Sequence, residues 1–177
     1  MYYKVTKDGG KGKTIISQAV VMKVLGISAT AHYNVNEKCP WIFDIIHYGY
    51  GRVDVKYSTL AGMGRTEGYR FKTNRNVSIK MGSKRECDTY FLLGFDYDWK
   101  NIDTVFVVPN KGWIRDVGTV SMYKSTNDSK YNEFRADVKP YNDAYHDFAT
   151  FIGKGIMVEV DDVKEWLRSG DDNKKMR

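Results

Sequence analysis

Two aspartates and a lysine are spaced so that they can share one face of a β-hairpin. Asp44 precedes the turn-forming sequence Gly49-Tyr50-Gly51, and Asp54 and Lys56 follow it. Residues two apart on a strand face the same way, so Asp54 and Lys56 share a face. A turn over residues 49–51 pairs position 44 with position 56 and brings Asp44 to that face. A turn of two or four residues would break this parity.

This grouping indicates metal-assisted chemistry on a phosphate ester. Two nearby carboxylates repel each other and lose hydration when they are buried, so the arrangement needs a compensating cation. Mg²⁺ binds carboxylate oxygens and bridges to substrate phosphate. It would stabilise the charge of the transition state and lower the pKa of a bound water, which Lys56 would orient or activate. The alternative is a solvated polar strand face without a ligand.

A basic segment follows the hairpin. The chain has 28 Lys plus Arg against 22 Asp plus Glu, a net charge of +6. Residues 65–85 alone hold seven basic side chains and one acidic one. Such a concentration of charge is typical of a surface that binds nucleic acid, although a solvated basic face would look the same. The predicted DNA contacts are Arg70, Lys72, Arg75, Lys84 and Arg85.

The elements that must position these residues belong to an α/β (α+β) fold with a central mixed β-sheet flanked by helices. Apolar spacing predicts a helix over 14–26 that ends at Gly26. Runs of β-branched and aromatic residues predict a hairpin and three further strands. The predicted strands are 41–48, 52–57, 68–73, 90–95 and 104–109, and two more helices are predicted over 138–152 and 161–168. The last helix is expected to close near Gly170, before a frayed tail.

The order of elements and the acidic residues together resemble the PD-(D/E)xK nuclease superfamily, whose restriction-endonuclease-like core is ordered αβββαβ. Asp44 matches the first acid of the motif, Asp54 its Asp/Glu and Lys56 its lysine. The resemblance covers residues 14–109. Many members carry a metal-binding glutamate on the first helix, and Gln18 stands at that place. A glutamine offers only a neutral amide oxygen, which departs from the family's pattern.

The resemblance implies a metal-dependent DNA endonuclease that hydrolyses phosphodiester bonds, with Mg²⁺ as cofactor and Mn²⁺ as a substitute. It implies a site-specific enzyme of restriction, homing or phage type, and a homodimer, since double-strand cleavage needs two sites. A Holliday-junction-type resolvase and a non-catalytic nucleic-acid-binding module are the alternatives. Residues 1–109 would form the nuclease core, and residues 110–177 an extension that packs on the core and serves DNA recognition or dimerisation.

Other classes of protein fit the sequence poorly. Cys39 and Cys87 lie far apart and form no CxxC pair, which argues against a disulfide scaffold and a structural zinc site. No apolar stretch approaches 18 residues, and the N-terminus has no apolar run behind its charges. The sequence therefore predicts a soluble, cytoplasmic protein with no membrane partner.

Overall fold

The computed structural model describes residues 9–26, 45–73, 87–114, 117–125, 131–153 and 158–175. These residues form a four-stranded mixed sheet, a second sheet of three strands, and three α-helices. The predicted fold class is confirmed. The strands are β1 (Ile45–His47), β2 (Gly51–Thr59), β3 (Ala61–Met63), β4 (Thr66–Lys72), β5 (Thr89–Phe95), β6 (Ile102–Pro109) and β7 (Thr119–Tyr123). The helices are α1 (Gly9–Leu25), α2 (Lys139–Ile152) and α3 (Val160–Lys175).

The first helix, α1, confirms the predicted helix and starts before residue 14. Ile15, Ala19 and Met22 are buried in the core between the helices and the mixed sheet. Gly26 follows the helix with a φ of 72°. A left-handed glycine at this position is the usual end of an α-helix, because glycine has no Cβ to clash there.

Strands β1 and β2 form the predicted antiparallel hairpin, but the turn consists of residues 48–50 rather than 49–51. His47 pairs with Gly51, so the loop closes one residue earlier than expected. The Nδ1 atom of His47 accepts hydrogen bonds from the backbone N–H groups of Gly49 (3.0 Å) and Tyr50 (3.2 Å). Gly51 starts β2 with a φ of 71°, which a side chain would disfavour. The observed register, with Ile45 opposite Val53, is shifted by two residues from the predicted one, which paired position 44 with position 56. Asp44 itself lies outside the described residues.

The mixed sheet has the strand order β1-β2-β5-β6. β2 pairs in parallel with β5, and β5 pairs antiparallel with β6. Every residue of β5 is buried, because helices cover one face of the sheet and the second sheet covers the other. The predicted strands 90–95 and 104–109 are therefore confirmed as parts of β5 and β6. A helix leading into β5, as an αβββαβ core would have, falls within residues 74–86, which are not described.

The second sheet, with the order β3-β4-β7, was not predicted by the sequence patterns. The run 68–73 does form a strand, β4, but that strand belongs to the second sheet and not to the central one. Tyr69 and Phe71 are fully buried, and Val120 and Met122 of β7 provide part of their apolar cover. The partner strand comes from far along the chain, which explains why local patterns did not reveal it.

The two remaining helices pack against α1 and against each other. Their aromatic side chains Tyr141, Tyr145, Phe148 and Trp166 are buried in the core. Phe151 is the exception, because its side chain is exposed. α2 contacts α1 and β6, and β7 pairs with β4, so residues of the range 110–177 pack on the first 109 residues.

Helix α3 continues to Lys175 and does not close near Gly170. The ammonium of Lys23 lies 5.2 Å from the ring centroid of Trp166. A Cβ atom at position 170 would collide with that same ammonium group. Gly170 therefore lies inside α3, with the end of the flexible Lys23 side chain beside it, and is not a stop signal. None of the helices in the described ranges is both long enough and apolar enough to cross a membrane.

Candidate active site

Strand β2 places Asp54 and Lys56 on one face, as predicted. Val53 and Val55 point into the core under the helices, whereas Asp54 and Lys56 lie opposite Tyr90 and Leu92 of β5, on the side of the second sheet. The Asp54 side chain is 1% exposed and the Lys56 side chain 26% exposed. Their charged groups form an ion pair, with Nζ 3.0 Å from Oδ1. A buried carboxylate needs such a partner, because burial removes its hydration.

The charges of this ion pair affect the pKa of the Cys87 thiol. Burial raises the pKa of the Cys87 thiol, and the Asp54 carboxylate raises it further. A hydrogen bond with Tyr90 and the Lys56 ammonium act in the opposite direction but do not compensate. Cys87 therefore stays a protonated, buried thiol at neutral pH and is a poor nucleophile or metal ligand.

A cavity of about 480 Å³ opens beside Lys56. It lies between α1, the middle of β2 and the end of β4. Three basic side chains and three hydroxyl groups line it, together with an apolar residue and a tyrosine. The lining residues are Thr14, Val55, Lys56, Tyr57, Ser58, Arg70, Lys72 and Thr73.

Two of the predicted DNA contacts, Arg70 and Lys72, reach this cavity because successive side chains of β4 point to opposite faces of the sheet. Tyr69 and Phe71 point into the core of the second sheet, which turns Arg70 and Lys72 outward. The backbone N–H of Arg70 donates a hydrogen bond to Oγ of Ser58 at 3.0 Å. That bond attaches β4 to the strand that carries Asp54 and Lys56, and it brings cations of two different strands to one cavity.

Gln18 lies on α1 one turn after Thr14, on the same side of the helix as that cavity-lining residue. Its side chain is 5% exposed, and its Oε1 atom has no hydrogen-bond donor among the described residues. A buried amide oxygen without a donor costs about 1–3 kcal/mol, so it calls for a partner such as an ion or a water. The placement of Gln18 on the first helix is as predicted.

The remaining predicted site residues lie outside the described part of the chain. These are Asp44, Arg75, Lys84 and Arg85. In the described ranges no cluster of three or more His, Cys, Asp or Glu side chains could hold a metal ion. The Asp54 carboxylate and the Gln18 amide, which has no donor among the described residues, are oxygen ligands of the hard type that Mg²⁺ prefers. The structure does not bring them together, because Asp54 faces the second sheet whereas α1 packs on the opposite face of the mixed sheet. Their chemistry fits that metal, and the second carboxylate of the prediction is Asp44.

Sequence reasoning missed the hydroxyl groups of the cavity. Ser58 lies on the same face of β2 as Asp54 and Lys56, so the two-residue period of a strand would have identified it as a neighbour of the site. Thr14 stands four residues before Gln18, and the helical period would have included it as well. Thr73 follows the end of β4, where no periodicity identifies a face.

Comparison with protein-family profiles, curated proteins and solved structures found no match for this chain. The resemblance to PD-(D/E)xK nucleases therefore depends on the residues of the motif and on the order of elements. The geometry of the cavity is the basis for assigning a function.

Proposed function

We propose that the protein is a magnesium-dependent endonuclease that hydrolyses phosphodiester bonds in DNA. The observation that carries this proposal is the buried Asp54–Lys56 ion pair, whose lysine opens onto a cavity shared with Arg70 and Lys72. The arrangement combines a carboxylate that can hold a cation with basic groups that can hold a phosphate. Both are requirements of metal-assisted phosphodiester hydrolysis.

The substrate is inferred from the charge of the cavity. Three cations, Lys56, Arg70 and Lys72, line this space. Charge-assisted hydrogen bonds from lysine and arginine are the strong contacts that proteins make with phosphate oxygens. The net charge of +6 supports a polyanion as partner, since it raises the local concentration of phosphates around the chain.

Asp54 would hold Mg²⁺ together with Asp44, and Mn²⁺ could replace it. When bound, the metal would polarise the phosphoryl group and lower the pKa of a water molecule. Lys56 has a separate role: its ammonium lies at the boundary between the buried carboxylate and the cavity. From there it can orient the attacking water and stabilise negative charge on the phosphoryl oxygens.

A non-catalytic nucleic-acid-binding module is the second candidate. One observation favours it: at the described site Asp54 is the single carboxylate, and the helix residue Gln18 is neutral. Such a module would use Arg70 and Lys72 for phosphate contacts but would not cut.

The deciding experiment combines cleavage with binding. Purified protein is incubated with plasmid, linear duplex, single-stranded and four-way-junction DNA, with Mg²⁺, with Mn²⁺ and with a chelator. Lys56→Ala and Asp54→Asn are compared with Lys100→Ala and Asp98→Asn, which replace exposed residues of the β5–β6 turn. We expect metal-dependent cutting that disappears in the first two variants and survives in the controls, while all variants still bind DNA.

The alternatives give different results in the same experiment. Salt-sensitive binding without cutting of any substrate would favour the binding module. Cutting of the four-way junction alone would indicate a junction-resolving enzyme. Sedimentation of the free protein and of its DNA complex tests the proposed homodimer.

A further inference from the structure

The cavity beside Lys56 has two chemically different walls. Lys56, Arg70 and Lys72 provide positive charge, whereas Tyr57 provides an aromatic surface. A site that bound only a phosphate group would need the first wall and not the second. The volume of about 480 Å³ falls in the range of about 300–1,000 Å³ that is typical of small-molecule sites.

Tyr57 is held in place by its neighbours rather than being free to turn away. Its ring meets the ring of Trp99 edge-on, with centroids 5.6 Å apart. The Nε1–H of Trp99 donates a hydrogen bond to Oγ1 of Thr59 at 2.8 Å, which fixes the indole against β2. Burial raises the pKa of the Tyr57 phenol, so its hydroxyl stays neutral and does not repel an anion. The result is a rigid aromatic wall beside a cluster of cations.

We infer that this cavity takes one whole nucleotide of a DNA strand. Its phosphate would lie among Lys56, Arg70 and Lys72, and its base against Tyr57. The inference rests on the proposed function, because it names the form of DNA that the site accepts. A base that remains paired in a duplex cannot enter a cavity of this size, so the strand must be unpaired at the bound nucleotide. The substrate class is therefore single-stranded, flapped or branched DNA rather than intact duplex.

Binding of small probes tests the inference without any cutting. Titration calorimetry in the presence of a chelator compares thymidine 5′-monophosphate with inorganic phosphate and with thymidine. We expect the nucleotide to bind at least tenfold more tightly than either part alone, because only the nucleotide contacts both walls. Equal affinity for the nucleotide and for inorganic phosphate would overturn the inference, as would no binding of the nucleotide at millimolar concentration.

Variants of the two walls should separate their contributions. Tyr57→Leu should lower the affinity for thymidine 5′-monophosphate towards that of inorganic phosphate, whereas Tyr57→Phe should retain it. Arg70→Ala should weaken both anions. Tyr97→Leu, which changes an exposed tyrosine in the β5–β6 turn, is the matched control. A folded Tyr57→Leu protein with unchanged nucleotide affinity would overturn the role of this wall.

The inference and the proposed function can fail separately. If the nucleotide binds but no DNA is cut under any condition, the nuclease proposal fails and the nucleotide site stands. If duplex DNA is cut at least as fast as single-stranded and branched DNA, the inference fails and the nuclease stands.

Discussion

The Nζ atom of Lys56 lies 3.0 Å from Oδ1 of Asp54, and it links a carboxylate in the protein interior to the surface of a cavity. The two residues are neighbours on one strand face, so their separation is set by the backbone of β2 and not by a flexible loop. β5 and the second sheet cover this face. The ion pair is therefore a rigid part of the fold, and changes at either residue should affect both stability and the proposed chemistry.

Replacing Lys56 with Ala should lower the free energy of unfolding by about 1–3 kcal/mol, because the buried Asp54 carboxylate loses a charged partner. Urea unfolding followed by circular dichroism measures the change. The exposed Lys100→Ala variant should differ from wild type by less than about 0.5 kcal/mol. A Lys56→Ala protein as stable as the control would show that the ion pair contributes nothing to stability.

Replacing Gln18 with Met should leave the protein at least as stable as wild type, with a gain of up to about 1 kcal/mol, because it removes a buried oxygen that lacks a donor among the described residues. If Gln18 is a metal ligand, as the resemblance implies, the same change weakens the binding of Mn²⁺, measured by electron paramagnetic resonance or calorimetry. Ser17→Ala, on the same buried turn, is the control for metal affinity. Unchanged Mn²⁺ affinity in Gln18→Met would remove Gln18 from the proposed metal site.

Replacing both Arg70 and Lys72 with Ala should reduce the salt dependence of DNA binding. The slope of log K against log salt should become less steep by about 0.7–0.9 for each phosphate contact that is lost. Fluorescence anisotropy between low and moderate salt gives the slope. Arg65→Ala, which changes an exposed arginine in the β3–β4 turn, should leave it close to the wild-type value. An unaltered slope in the double variant would exclude these two residues from the phosphate contacts.

Replacing Gly94 with Ala should destabilise the protein by about 1–3 kcal/mol through overpacking. An added Cβ would lie 2.7 Å from Cγ2 of Thr104 and 2.7 Å from the ring of Tyr69, between the two sheets. Thr104→Ser removes that methyl group but keeps the hydroxyl that accepts a hydrogen bond from Arg135, so the double variant should recover part of the loss. Gly62→Ala on β3 has open space and is the control in thermal unfolding.

The ion pair of Asp88 with Arg52 predicts that the stability of the protein depends on pH. Hydrogen bonds from the Arg52 side chain hold the pKa of Asp88 below its ordinary value of 3.8. Because the pKa of Asp88 is lower in the folded state than in the unfolded state, the ionised carboxylate stabilises the protein at pH values above 3.8. This stabilisation is lost as the pH falls through the lower pKa of the folded state. Both side chains are partly exposed, at 32% for Arg52 and 47% for Asp88, so about 1 kcal/mol or less is expected.

Asp88→Asn should therefore be less stable than wild type at pH 6, and the difference should disappear at a pH well below 3.8. Urea unfolding over a series of pH values measures it. The exposed Asp98→Asn variant is the control for the loss of one negative charge. A stability difference that persists unchanged into strong acid would contradict the linkage.

Local patterns predicted the secondary elements because their causes are local. The period of two placed Asp54 and Lys56 on one face of β2, and apolar spacing predicted the helix α1, on which the resemblance placed Gln18. The predicted position of the hairpin turn was wrong by one residue. The backbone of the actual turn donates hydrogen bonds to Nδ1 of His47, and no pattern of apolar residues reveals such an acceptor. The prediction that the last helix closes near Gly170 was also wrong, because α3 continues through this glycine to Lys175.

The sequence by itself therefore determined the α+β class, the strand that carries the acidic motif, and the identity of the residues that alternate along it. Only the tertiary structure decided which of them share a cavity. Arg70 and Lys72 belong to a second sheet, and a hydrogen bond from the Arg70 backbone to Ser58 joins that sheet to β2. The burial of Asp54 depends on β5 and on the second sheet, which follow it in the chain. Alternation along a strand follows from backbone geometry, whereas pairing between distant segments depends on packing of the whole chain.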